Sequence, residues 1–494
     1  MTRQPAPTSV PVALTIATSD SGGGAGVQAD LKTMEACGTF GTSVLAATTA
    51  QHTHGVESVH VLPTAEIGAQ LDAVIGDFDV RAAKTGMLAT ADVVEFVAER
   101  ARDFPFPLVV DPVMVATSGD RLLEPAGEDA YKDLIAEATL VTPNADEAAV
   151  LTGIEIDSEE AAIEAGEALR EMGATAALVK GGHVPGDAVR DVLVTDEGAT
   201  TIPHPRVETE ATHGSGCTLA SAITSHVARG NDLDEAVREG ISLLSRAVRY
   251  PLDVGEGPGA VHHLVALRER AVRAETIADV RKIVGGIAAQ DVSSPASDTS
   301  IRVAGATPYA ETAGEVAAVE GPIANVSSGT EPTCDVGFGV SGDAARFLLA
   351  AREAVPELRF ALDCRSNWDV EAALSALDGP VVGIETGPES GDDGVGGSAA
   401  PEDSANDGGL GDVAIERAVR RAFETEGESE ADRDSGDSVG SEEADSETPV
   451  AAIDRSERGG ENSAWIVAPD SGTLIERTLT VLDRLDASDE DGVA

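Results

Sequence analysis

Positive charge is what this sequence lacks most: Lys and Arg number 34 against 87 Asp and Glu, a formal net charge of -53 over 494 residues. Such a surface repels a phosphodiester backbone and an anionic bilayer, which excludes nucleic acid and membrane as partners. It also repels itself in dilute buffer, and concentrated salt screens that repulsion. The composition therefore predicts a salt-rich cytoplasm, as in a halophilic microbe. The acid is not confined to tails, because helical stretches such as "DSEEAAIEAGEALREMG" carry it too. Cysteine is scarce as well. Cys37, Cys217, Cys334 and Cys364 stand far apart with no CxxC pair, so neither a zinc site nor a disulfide framework is supported. Long apolar runs are missing, which excludes a membrane span. The opening "MTRQPAPTSVPVAL" lacks the apolar core and cleavage pattern of a secretory leader. These absences predict a cytoplasmic protein.

What is present is alternation. The chain is too long for one ordinary core, so two domains are expected. In the first part, apolar runs ("VALTIATSD", "TSVLAATTAQ", "RAAKTGML", "PLVVDPVM", "ATLVTPN", "ATAALVKGGH") alternate with helical spacing ("AGVQADLKTMEAC", "DVVEFVAERA", "EEAAIEAGEALREMG"). Strand, helix, strand, repeated, predicts an α/β fold with parallel pairing and crossover helices on both faces. Ligands of such sheets sit at the carboxyl ends of the strands. Asp20, Gln51, Lys84, Asp111, Asn144 and Lys180 each follow an apolar run directly.

The first domain is expected over 10–266, closed by the turn at Gly255–Gly259, and a second α/β domain over 271–486. The second has strand-like "LRFALDCR" and "GPVVGIET" and a helix in "SGDAARFLLAAREAV". Two inserts, about 386–409 and 424–448, hold almost no apolar residues and are expected to be disordered.

Two glycine-rich turns precede helices: "SDSGGGAGVQAD" and "THGSGCTLA". Backbone N–H groups and the helix dipole converge at such places and favour anions. Neither matches the phosphate loop of nucleotide hydrolases or the dinucleotide turn.

In order along the chain, "TIATSDSGGGAGVQADLKTMEACG", "KTGML", "VVDPVM", "VTPNADEA", "VKGGH" and "THGSGCTLASA" resemble the hydroxymethylpyrimidine and phosphomethylpyrimidine kinases of thiamine biosynthesis. The resemblance runs from about Ala13 to His263. It implies a ribokinase-like αβα sandwich with a mostly parallel central sheet. It also implies two successive phosphorylations of 4-amino-5-hydroxymethyl-2-methylpyrimidine with ATP and magnesium. By this likeness the amides of Gly214, Ser215, Gly216 and Cys217 form an anion hole for the phosphoryl group. Cys217, its thiol pKa lowered by the helix dipole, takes the proton of the acceptor hydroxyl. The plain alternative is a small buried cysteine that packs the helix.

The likeness further puts Asp30 near the acceptor's hydroxymethyl and amino groups, although a carboxylate in a helix's first turn also suits the dipole without any substrate. Gly24, Gln51 and Met87 bind the pyrimidine, Gln51 at the ring edge and Met87 on its face. Lys180, Asn144, Glu147 and Asp111 handle ATP phosphate, with Asp111 and Glu147 also as magnesium ligands. Few direct ligands are needed, because magnesium keeps most of its waters. His213 receives no role. Where the family commonly reads "GTDPSGGAG", this chain reads "ATSDSGGGAG", and the lost proline predicts a freer loop. A pyridoxal-type vitamin is the alternative acceptor.

The rest, from about Ala271 to Asp486, resembles ThiN, a thiamine-phosphate synthase that joins the diphosphorylated pyrimidine to thiazole phosphate. Two positions depart: Pro322 stands where active members carry an arginine, and Asp343 where they carry a histidine. Arg365, Asp454, Arg455 and Arg458 remain as a candidate phosphate pocket, or as ordinary surface ion pairs. A module that senses ligand without catalysis is the other reading. A homo-oligomer is left open.

Overall fold

The computed structural model of the chain describes residue 6 and residues 8–114, 125–182, 186, 188–288, 301–319, 335–340, 342–384, 410–425, 448–455 and 463–491. The acidic inserts expected over 386–409 and 424–448 lie almost wholly outside the described residues, as do Pro322 and Arg458. The chain divides into two compact units, Met1–Arg268 and Glu269–Ala494.

The first unit runs β1 (Val12–Ala17), α1 (Gly26–Ala36), β2 (Phe40–Leu45), β3 (Ala47–His52), β4 (Gly55–Val61), α2 (Thr64–Asp77), β5 (Val80–Thr85), α3 (Ala91–Ala101) and β6 (Leu108–Val110). It continues with α4 (Pro125–Ile135), β7 (Leu140–Val141), α5 (Ala145–Thr152), α6 (Glu159–Glu171), β8 (Ala176–Val179), β9 (Ala188–Thr195), β10 (Gly198–Pro205), α7 (Ser215–Ala228) and α8 (Leu233–Arg249). Eight strands form one sheet in the order β10-β9-β8-β7-β6-β5-β1-β2. From β8 to β2 every pairing is parallel, and β9 and β10 close the far edge antiparallel.

The central strands are apolar without alternation because both of their faces are covered. Every residue of β6 and β8 is buried. One face packs Leu14, Ile16, Val94 and Leu134; the other packs Val109, Leu178, Leu219 and Ile223. A fully buried side chain of this size contributes about 1.5–3 kcal/mol relative to exposure. Two cores with one sheet between them make the expected αβα sandwich. The β9–β10 hairpin was not legible in the runs read above, and it supplies the far wall of the site. Strands β3 and β4 stand apart as a two-stranded ribbon.

The second unit takes most of α9 (Val265–Ala288), then β11 (Arg302–Ala306), β12 (Val316–Val319), β13 (Val336–Phe338), α10 (Asp343–Ala354), β14 (Phe360–Arg365) and α11 (Trp368–Leu374). After these come β15 (Val381–Ile384), α12 (Leu410–Thr425), β16 (Ala451–Asp454), β17 (Ser463–Ala468) and α13 (Ser471–Asp491). Its seven strands order β13-β12-β11-β14-β17-β16-β15, antiparallel except for β15 on β16. Helices cover both faces here too. Val280, Phe360 and Ile466 lie on one side, and on the other Phe347 stacks on Trp465 with ring centroids 4.6 Å apart. Among the described residues no helix is long and apolar enough to cross a membrane.

Candidate active site

Both glycine-rich turns lie at carboxyl ends of strands in the first unit, and they touch. After β1, the Asp20 carboxylate gathers the turn that follows it. Its Oδ1 accepts the Gly22 amide at 2.8 Å, and its Oδ2 accepts the amides of Gly24 at 2.9 Å and Ala25 at 2.7 Å. His213 Nε2 stands 3.2 Å from the same Oδ2. Burial works to raise the Asp20 pKa, but His213 and the Ala25 and Gly22 amides outweigh it and hold the carboxyl below its ordinary value. These bonds pin the loop that the missing proline had predicted to be free. Gly26 then opens α1 at φ +57°, where an added Cβ would sit 2.5 Å from the Thr18 carbonyl.

The second turn enters α7. Gly214 is its N-cap at φ +85°, and a Cβ there would meet the Gly24 carbonyl at 1.9 Å. Only glycine allows that approach. The expected anion hole of four amides is reduced by one, because Ser215 N–H donates to the Thr212 carbonyl at 3.1 Å. The amides of Gly214, Gly216 and Cys217 have no protein acceptor among the described residues. Across from them, Lys180 Nζ lies 3.2 Å from Asp111 Oδ1 and 4.0 Å from Glu147. A Cβ on Gly216 would come within 3.4 Å of Asp111 Oδ2 and 3.5 Å of Lys180 Nζ. An acid, a lysine and a helix N-terminus therefore converge on a single bare residue.

Asp111 is 1% exposed, and its Oδ2 has no hydrogen-bond partner among the described residues. Burial and the Asp111 charge lift Glu147 to about 7, against the pull of Lys180. Burial works to lower the Lys180 pKa, but Asp111 and Glu147 outweigh it and keep the amine charged. Asn144 and Glu147 border the cleft, yet they serve first as a reciprocal cap of α5: Asn144 Oδ1 accepts the Glu147 amide, and Glu147 Oε2 accepts that of Asn144, both at 2.8 Å. The cleft measures about 680 Å³ and is also lined by Gln51, Met87 and Cys217. It extends toward His204 and Arg206, at and just past the end of β10.

Three sequence expectations are corrected. Asp30 does not face the cleft: it is fully buried and holds Lys84 Nζ at 2.9 Å, Ser221 Oγ at 2.7 Å and Thr15 Oγ1 at 2.6 Å. Lying one helical turn past Gly26, it turns inward toward the sheet, away from substrate. Gly24 is likewise not among the residues that line the cleft; its amide donates to Asp20 and its carbonyl accepts from His263. The Cys217 thiol is not lowered by the helix dipole. Burial pushes it up to about 12, and the nearby Lys84 charge and a bond from the Gly26 amide offset this only in part.

Sequence reasoning gave His213 no role, whereas it lines the cleft between Asp20 and Gln51, 3.4 Å from Gln51 Nε2. Its place directly before the second glycine turn was the signal. Asp20 and Lys84 follow apolar runs in the sequence, but their partners His213 and Asp30 lie 193 and 54 residues away, beyond any local pattern.

In the second unit, Arg365 ends β14 and pairs in register with Ser463 at the start of β17. Asp454 ends β16 on the other side of β17, and the Arg455 side chain lies 3.5 Å from the point a Gly383 Cβ would occupy. Arg365, Asp454 and Arg455 thus share one end of the sheet. Asp343 begins α10 and is paired with Arg346 at 2.9 Å and Arg302 at 3.6 Å. Arg302 also stands 3.7 Å from Asp363, which burial lifts to about 7.

An open, mostly parallel sheet with a lysine, an acid and a helix N-terminus closing on one cleft suits a kinase of small molecules. The phosphomethylpyrimidine kinase family profile matches residues 20–262, and that of thiamine-phosphate synthase ThiN matches residues 279–479. The chain is 45% identical to the hydroxymethylpyrimidine/phosphomethylpyrimidine kinase of Rhizobium meliloti over 51% of this chain and 96% of that one. It is 43% identical to the thiamine biosynthesis bifunctional protein ThiED of Geobacter sulfurreducens over 52% and 53%. Among solved structures, the ADP complex of Bacillus subtilis pyridoxal kinase matches at 33% identity and a TM-score of 0.49, covering 53% of this chain and 99% of that one. The chain belongs to the hydroxymethylpyrimidine/phosphomethylpyrimidine kinase family of thiamine biosynthesis, and a ThiN-type domain follows its kinase domain.

Proposed function

We propose that the phosphoryl group passes at Gly216, between the free amides of α7 and the Asp111–Lys180 pair. The observation that carries this is the absence of a side chain at the one residue where those groups meet. The pyrimidine lies against Met87, with Gln51 and His213 at its edge and its hydroxymethyl oxygen at Cys217 Sγ. ATP lies along the arm of the cleft that runs past Lys180 toward His204 and Arg206. Lys180 draws charge from the transferring oxygens, and the amides stabilise what develops in the transition state.

A neutral Cys217 suits this chemistry. Phosphoryl transfer passes through a loose transition state, so the acceptor hydroxyl needs to give up its proton only late. Cys217 orients that hydroxyl as a thiol that keeps its own proton, and the hydroxyl's proton passes late to an oxygen of the transferred phosphoryl group.

Magnesium fits the residues present. Asp111 Oδ2 is buried without a partner and Glu147 borders the same cleft, so these two would hold the ion. Among the described residues no group of three or more His, Cys, Asp or Glu is placed to bind a metal, which suits an ion held mainly by phosphate and water. When bound, it would neutralise charge on the transferring phosphate. The acidic surface supports action in a salt-rich cytoplasm.

For the second unit we infer condensation of the diphosphorylated pyrimidine with thiazole phosphate, with pyrophosphate received by Arg365 and Arg455. The ion pairs of Asp343 with Arg302 and Arg346 favour a second reading, ligand sensing, because they occupy cations the leaving group needs. The full chain carrying Cys217→Ala, supplied with both phosphorylated substrates in molar salt, is expected to form thiamine phosphate at the unaltered rate. Calorimetric binding without product selects sensing instead.

A further inference from the structure

His263 is 1% exposed, lies outside the cleft and takes no part in the chemistry described above. Its Nε2 stands 3.0 Å from the Gly24 carbonyl oxygen. A carbonyl only accepts, so Nε2 carries the hydrogen, and Nδ1 is left as a buried lone pair with no partner among the described residues. The ring is therefore neutral. Burial, with Lys32 nearby, agrees by pushing its pKa down to about 4.

The Gly24 carbonyl is the atom on which the second glycine turn rests. A Cβ on Gly214 would lie 1.9 Å from that oxygen and 3.3 Å from His263 Nε2, so ring, carbonyl and turn meet at one point. Asp20 holds Gly24 from its amide side and His263 from its carbonyl side. The segment that brings His263 here is stitched to the same region. Val261 N–H donates to the His213 carbonyl at 3.2 Å, His262 N–H to the Ala247 carbonyl at 2.9 Å, and Leu252 bridges Ala260.

We propose that His263 is a positioning residue for phosphoryl transfer: it clamps the Gly24 carbonyl beneath Gly214 and so sets the direction of the α7 amides. The proposal rests on the reading of the Gly214–Cys217 turn as the phosphoryl site. Without the clamp the carbonyl loses its donor and the two turns drift apart. A displacement near 1 Å at a reacting centre costs on the order of 100-fold in rate.

Full-length His263→Leu is expected to lose about 30–100-fold in kcat, with KM for ATP and for the pyrimidine changed by no more than about threefold. His263→Gln, whose amide nitrogen reaches the place of Nε2, is expected to recover most of that loss. His263→Asn places its amide only where Nδ1 was, and is expected to recover little; this polar pair decides the matter if the leucine variant does not fold. Wild-type kcat in His263→Leu, or Asn equal to or better than Gln, overturns the clamp. Loss in Cys217→Ala alongside normal rates in His263→Leu rejects the clamp alone, whereas normal rates in both reject the underlying reading of the turn.

Discussion

Replacing Cys217 by alanine is expected to lower kcat by about 100-fold, the cost of misplacing a reacting group that it orients, while ATP affinity stays unchanged. The thiol's proposed place is the acceptor side of the site, and Lys180 and Asp111, proposed to handle phosphate, are left in place. The resting thiol is neutral, which makes a second readout available. Alkylation of Cys217, followed by peptide mapping, is expected to be slow at neutral pH and to accelerate as the pH climbs toward the thiol's value of about 12. Removing the Lys84 charge takes away a stabiliser of the thiolate and slows the labelling further. A rate plateau below pH 8, or turnover in Cys217→Ala within threefold of wild type, contradicts this account of the sulfur.

The largest expected effect on stability comes from Asp30→Asn. Lys84 and Asp30 are both wholly buried, and leaving one member of such a pair uncompensated costs about 3–5 kcal/mol. Burial works to lower the Lys84 pKa, but the charge of Asp30, with that of Asp111 and the Asp30 hydrogen bond, outweighs it and raises the pKa above the ordinary 10.5. A raised lysine pKa contributes stability that is present in full below the unfolded value and lost only as pH rises through the folded one, so the pair is constant across neutral pH. Chemical denaturation in concentrated salt measures the loss. The double variant Asp30→Leu with Lys84→Met is expected to regain most of the stability, because an apolar replacement of a buried pair is often neutral. A loss below about 1 kcal/mol in Asp30→Asn contradicts the structural role given to this pair.

The difference between legible and hidden residues follows from separation along the chain. Asp111 and Lys180 could be marked because each falls at the end of an apolar run, and parallel sheets collect those ends on one side; Gln51 sits instead in the separate β3–β4 ribbon, and Met87 comes only from the family resemblance. Gly214 and Gly216 could be marked because two glycine-rich turns, each between a strand and a helix, point to an anion site more strongly together than either does alone. Asp30 was misassigned because helical spacing cannot say which face of α1 meets the sheet. Its partner Lys84 is 54 residues away, and Ser221 191 residues away. His263 acts on a carbonyl 239 residues back, and nothing local marks it. The lowered thiol pKa expected of Cys217 fails for a physical reason: a helix N-terminus is worth about 0.3–1 kcal/mol at an exposed site, and desolvation of the thiolate at this half-buried position exceeds that.

The most direct measurement is a structure of the full chain with ADP, a metal-fluoride mimic of the transferring phosphoryl group and hydroxymethylpyrimidine. The fluoride cluster is expected within about 2.7–3.2 Å of the Gly216 and Cys217 amide nitrogens, with the hydroxymethyl oxygen against Cys217 Sγ. A cluster bound elsewhere in the cleft, with those amides facing only solvent, contradicts the account.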